Sequence, residues 1–136
     1  MSSTETREAQ LHRIARAYVS EGLAQKNFDA IPYDDHITLS APFCPGGSDV
    51  PLTGKDTLRR VWWAPMPQLI GTATVLDSYV NAALTAVTCE FLLEILQPPC
   101  TLRIIDRFTV NLEGKIVEQA NYFDPRNVTN PGWQGG

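Results

Sequence analysis

The sequence predicts an α+β fold, a curved antiparallel sheet packed against N-terminal helices and closed by them into a cone. Three observations carry that expectation. Helical periodicity occupies the first half of the chain, with one strand inside it. After Pro65 the chain is rich in Val, Ile, Thr, Phe and Tyr, broken at short intervals by Asn-Ala-Ala, Gln-Pro-Pro and Leu-Glu-Gly. That order of helix, strand, helix and four-strand meander puts the helices on one side of a sheet. At 136 residues, the chain has room for one good core, so residues 1–136 are read as a single domain.

Between Thr4 and Gln25, Leu11, Ile14, Ala15, Tyr18, Val19 and Gly22 recur at offsets of three and four, which makes an amphipathic helix with Tyr18 on its buried stripe. A helical turn over Phe28 to Ile31 stops at Pro32. In DDHITLSAPF, Ile37, Leu39 and Ala41 alternate with His36, Thr38 and Ser40, a half-buried strand ending at Pro42. CPGGSDVP is a loop. Thr53 with Asp56 resembles a capping box for a helix through Leu58, Val61 and Trp62 that ends near Pro65. Trp62 and Trp63 point about 100° apart on such a helix, and Trp62 follows the Leu58 stripe into the core. The four strands that follow are placed at Thr72 to Val80, Leu84 to Leu96, Thr101 to Asn111 and Lys115 to Phe123. The second of these turns Val87, Cys89, Phe91, Leu93 and Ile95 inward, leaving an outer face suited to a second subunit.

One residue breaks the pattern. Through TLRIIDRFTVN the inner face reads Leu102, Ile104, Asp106, Phe108 and Val110, so a strand that buries this apolar set buries a carboxyl too. A turn that pairs Val110 with Lys115 would set Phe108 opposite Val117, Asp106 opposite Gln119 and Ile104 opposite Asn121. An acid in apolar surroundings either keeps its proton or finds a cation or donors. A neutral Asp106 would be a hydrogen-bond donor, useful where a substrate oxygen gains negative charge, with Tyr18 as a second donor. The competing reading is a structural polar network of Asp106 with Gln119, Asn121 or a neighbouring arginine.

Charge and composition exclude several classes. Fifteen acidic against eleven basic residues give a net charge of -4 with no basic stripe, which argues against nucleic acid. No run approaches a membrane span, and the polar MSSTETREAQLHR start lacks a signal-peptide core, so a cytoplasmic protein is expected. Three widely spaced cysteines and two histidines suit reduced thiols and no metal site.

The order of elements, with PLTGKDTLRRVWW and the closing EGKIVEQANYFDP, resembles the NTF2-like (cystatin-like) superfamily, particularly its SnoaL-like and ketosteroid-isomerase-like members. The resemblance implies a deep apolar pocket for a hydrophobic small molecule, a homodimer through the outer sheet face, and no cofactor. It further implies isomerisation, cyclisation or dehydration through an enol or enolate, with a non-catalytic ligand-binding or dimerisation module as the alternative. Asp106 stands eight residues before Gly114, and ARAY ends at Tyr18, as the isomerases' buried acid and first-helix tyrosine would; their use as an oxyanion hole is the worked case of the neutral-acid pattern. The isomerase base precedes a Pro-Phe pair, where this chain has Ala41 before Pro42-Phe43; Asp35 or His36 is then the candidate base. The last strand resembles that of the limonene-epoxide hydrolases, with Asn121 at their aspartate position, which implies that Asn121 points into the pocket. Polyketide cyclases of the SnoaL group use a pocket-strand acid as both acid and base, a role open to Asp106. The expected catalytic set is thus Asp106, Tyr18 and His36, with Asn121, Gln119, Trp62, Phe43, Phe91 and Phe108 around the substrate.

Overall fold

The computed structural model describes residues 5–42, 44, 46–47 and 49–126. Helix α1, Arg7–Ala17, starts where the Thr6 side chain accepts a hydrogen bond from the Ala9 N–H and runs on into a π-helical turn, Tyr18–Leu23. The expected stripe is buried: Leu11, Ile14, Ala15, Tyr18, Val19 and Gly22 all face inward. After a 3₁₀ turn at Phe28–Ala30 come β1, Tyr33–Ser40, and the two-residue β2, Leu52–Thr53. The second helical segment begins as α2, Lys55–Thr57, and continues as a π-helical Leu58–Trp63; α3, Met66–Leu69, follows. Strands β3, Ile70–Val80, β4, Ala86–Leu96, β5, Pro99–Val110, and β6, Ile116–Tyr122, form the meander.

The six strands make one sheet in the order β2-β1-β6-β5-β4-β3. The meander is antiparallel throughout, but β1 lies parallel to β6, so the sheet is mixed rather than purely antiparallel. That pairing follows from connectivity: the chain crosses from β1 over the sheet before returning antiparallel from β3 to β6. Alternation on β4 and β5 is as expected, with Cys89, Phe91, Leu93, Leu102, Ile104, Asp106 and Phe108 all under a tenth exposed.

Three expectations need correction. Thr53 does not cap α2, because it is paired with Thr38 in β2; Gly54 is the N-cap, at φ 100°, with no side-chain hydrogen bond. Trp63, not Trp62, is the core tryptophan. The widened π-helical spacing brings residue i+5 onto the face of residue i, so Trp63 follows Leu58 inward and stacks 5.6 Å from the Phe28 ring, while Trp62 is half-buried. The β5–β6 register is also displaced. Val110 pairs with Ile116, and an irregularity between Thr109 and Val110 leaves Phe108 opposite Gln119 and Asp106 opposite Asn121. The bulge takes Val117 out of the ladder, half-buried. The displacement at Asp106 is two residues, an even number, so Gln119 and Asn121 still face inward.

Candidate functional site

Between the inner face of the sheet and the second helical segment lies a cavity of about 280 Å³. Its walls are apolar: Phe91, Leu93 and Ile104 on the sheet side, Trp62 and Met66 on the helical side. Exposed Val61 and Leu69 also line it. Asp106, Tyr18 and Asn121 contribute its polar corner, each under a tenth exposed.

Asp106 is held there by register. Its neighbours across the strands are Cys89 on β4 and Asn121 on β6, and Tyr18 reaches it from the helix with a hydrogen bond from its hydroxyl. No ion pair among the described residues involves it. Burial raises the Asp106 carboxyl well above the usual carboxylate range, and the Tyr18 hydrogen bond offsets this only in part. Burial first, then the Asp106 charge, lifts the Tyr18 and Tyr33 hydroxyls well above the usual phenol range. Cys89, buried beside Asp106, is pushed up to about 12 and is no nucleophile at neutral pH.

Behind the cavity the polar groups continue as a chain. Tyr33 donates from its hydroxyl to Gln119 Oε1 at 2.5 Å. Gln119 Nε2 donates to the Tyr18 hydroxyl at 3.1 Å and to Asn121 Oδ1 at 2.8 Å. The same Asn121 atom lies 2.9 and 3.2 Å from the two Asp106 carboxyl oxygens. With nitrogen at that position Asn121 donates to both carboxyl oxygens; with oxygen there a proton must lie between them, so that pattern is complete only with Asp106 neutral. Turning the Asn121 amide alone would give Asp106 a donor but would set NH₂ against the NH₂ of Gln119. The two amides therefore turn together or not at all. Among the described residues every buried polar side-chain atom has a partner.

The expected residues divide accordingly. Asp106, Tyr18, Asn121, Trp62 and Phe91 line the cavity. Gln119 and Phe108, fully buried, do not: Gln119 sits behind the corner, and Phe108 backs the Tyr18 ring at 4.9 Å. His36 is exposed on β1, and Asp35 with it, because Ile37 and Leu39 take the inner face. Neither lines the cavity. Phe43 lies outside the described residues. Ala41 lines the cavity, so no acid stands at that position. Tyr33 escaped the sequence reading, although its odd-numbered parity with Ile37 and Leu39 marks it as inward. Asp124, following β6, is bridged to Arg126 at 2.6 Å, which brings its carboxyl down to about 2.

No family model matches the chain. No curated protein matches it either. Solved structures do. A Bacillus subtilis protein provisionally described as an isomerase superposes with TM-score 0.75 at 18% identity, over 92% of this chain and 96% of its own. An NTF2-like protein of unknown function from Cytophaga hutchinsonii gives 0.62 at 16%, over 93% and 97%. The epoxide hydrolase/cyclase-like enzyme SalBIII, with a role in pyran ring formation in the polyether salinomycin, gives 0.70 at 16%, over 88% and 95%. At such identities the likeness establishes the fold.

Proposed function

On the NTF2-like fold that the chain shares with these structures, we propose that the cavity binds a hydrophobic small molecule by one oxygen atom and catalyses an isomerisation, cyclisation or dehydration through an enol or enolate. The observation that carries this reading is the neutral-acid corner: a buried carboxyl with a tyrosine hydroxyl beside it, facing apolar walls. A substrate carbonyl seated there draws the Tyr18 O–H away from the Asp106 carboxyl and the Asp106 O–H away from Asn121, and so takes two donors in a water-poor site, where charge developing on oxygen is stabilised far more than in water. Asp106 gives its proton to the oxygen, and the carboxylate formed takes the proton from the adjacent carbon, leaving an enol and a neutral acid. In the second half the acid's proton goes to a different carbon (isomerisation), to a hydroxyl that departs as water from the carbon beside the enol (dehydration), or to the oxygen of a second carbonyl that the enol carbon attacks (cyclisation), and the carboxylate takes back the enol O–H proton, which restores the carbonyl and the neutral acid. With Ala41 in the wall and His36 outside it, Asp106 acts as both acid and base, and Tyr18 as the second donor. No cofactor enters this scheme.

The alternative is a non-catalytic ligand-binding or dimerisation module, which the absence of a carboxylate at Ala41 favours. A ligand-binding module also predicts binding but no turnover, and a dimerisation module predicts neither; the first reading predicts both, with Asp106 governing them. We further propose a homodimer through the outer sheet face, where Leu76, Tyr79, Ile105 and Tyr122 are exposed. Proteins of this size bury such apolar surface readily against a second copy.

The test is fluorescence titration with 2-naphthol, whose hydroxyl mimics an enol oxygen. Asp106→Ala and Tyr18→Phe should each weaken binding by about tenfold or more, with melting curves that show a folded chain. Equal binding by wild type and a folded Tyr18→Phe or Asp106→Ala variant would reject the oxygen-binding corner.

A further inference from the structure

We propose that Tyr33, which does not touch the cavity, is a positioning residue that keeps the proton on Asp106 by fixing the orientation of the Gln119 and Asn121 amides. The inference rests on the reading of Asp106 as a neutral donor.

The argument compares the two complete hydrogen-bond patterns available to the chain of side chains. In the first, Tyr33 donates to Gln119 Oε1 and Gln119 Nε2 donates to Tyr18 and to Asn121 Oδ1, and a neutral Asp106 would donate to the same Asn121 oxygen. Each link in this pattern joins a donor to an acceptor. In the second, Asp106 is ionised and both amides are turned. Asn121 Nδ2 donates to the carboxylate and to Gln119 Oε1, and Gln119 Nε2 now points at the Tyr33 oxygen. Tyr33 becomes an acceptor, and its own proton must go elsewhere.

Tyr33 is 2% exposed, and Gln119 is the partner its hydroxyl has among the described residues. A buried donor without a partner is costly. The second pattern therefore carries a penalty at Tyr33, three side chains away from the proton that was lost. Tyr33 thus acts as a one-way anchor: it favours the amide setting that only a neutral Asp106 completes.

The surroundings leave Tyr33 this influence. Asp106 is faced by Tyr18 from the helical segment, by Cys89 from β4 and by Asn121 from β6, and its charge is felt at Tyr33 on β1. Arg16 is felt at the Cys89 thiol, and no cation pairs with Asp106 among the described residues. Burial sets the upward direction, and with no cation paired against it the hydrogen-bond direction among the amides adds to that effect.

Tyr33→Phe removes the hydroxyl and keeps the ring, which stacks 5.5 Å from Phe28. The experiment is a carboxyl ¹³C NMR titration of Asp106 in wild type and in Tyr33→Phe. The inference predicts that Asp106 loses its proton about one pH unit lower in the variant, a tenfold drop in proton affinity. Gln119→Met, which cuts the same relay at its centre, should lower it as well, and serves if Tyr33→Phe does not fold. An Asp106 titration raised in wild type and unmoved by either variant would overturn the role of Tyr33 alone. An Asp106 that titrates as an ordinary carboxylate in wild type would overturn the proposed function beneath it. A purely structural role for Tyr33 would change melting temperature and leave the titration where it was.

Discussion

The proton on Asp106 makes stability depend on pH in a stated direction. Burial raises the folded-state affinity of this carboxyl well above that of the unfolded chain, so its contribution is fully present below the ordinary carboxylate range. It is lost as pH rises through the raised folded value. Denaturant midpoints of the wild type should therefore fall as pH is raised across that window, and Asp106→Asn should be flatter over the same range. A wild-type midpoint that rises through this window would contradict the sign. Asp106 was legible in sequence because strand alternation is strict: Leu102, Ile104 and Phe108 are buried, so the residue between them must be. Its partner was not. The expected Asp106–Gln119 pairing assumed an unbroken ladder from Val110–Lys115; the turn instead closes at Val110–Ile116 and the bulge between Thr109 and Val110 adds one residue more, so Asn121 stands where Gln119 was expected. Bulges depend on how the turn closes, which alternation does not encode; here Asn111 Oδ1 accepts from the Glu113 and Lys115 N–H groups and Gly114 sits at φ 81°.

Among the elements, the helical segments show what periodicity misses. Both helical segments pass into π-helical turns, Tyr18–Leu23 and Leu58–Trp63, and a 3.6-residue wheel assigns the wrong tryptophan in the second. The first helix tolerated the same error because its buried stripe is broad, whereas Trp62 and Trp63 share no face. The two rings then have separate duties. Trp63→Ala, which empties a packed site against Phe28, should destabilise by about 3 kcal/mol in denaturant unfolding. Trp62→Ala should cost much less stability and instead weaken 2-naphthol binding, since Trp62 lines the cavity. The reverse assignment of losses would show that the helical face is set as an ordinary α-helix. A second element-scale feature is Arg7 at the start of α1. Its guanidinium donates to the Leu84, Val110 and Asn111 carbonyls, tying the helix to the β3–β4 and β5–β6 turns of the meander. That tether holds the helix carrying Tyr18 against the strands carrying Asp106.

For the whole molecule, the architecture was readable because helix, strand, helix and meander leave few ways to cover a single sheet. The parallel neighbourhood of β1 and β6 was not, since nothing local in either strand names its partner. No described helix is long and apolar enough to cross a membrane. The outer face predicts assembly: Ile105 and Tyr122 pair across β5 and β6 with both side chains exposed. Sedimentation velocity should find a dimer in the wild type and a monomer in Ile105→Asp, whereas a monomeric wild type would leave that face to solvent. The claim on which the rest depends is that Asp106 faces an apolar hollow with its proton in place. Carboxyl ¹³C NMR of Asp106 in the wild type at neutral pH tests it most directly. A resonance at the position of a protonated acid, still unshifted where surface carboxylates have long since titrated, is the predicted result. A resonance already in the carboxylate position there would contradict the account.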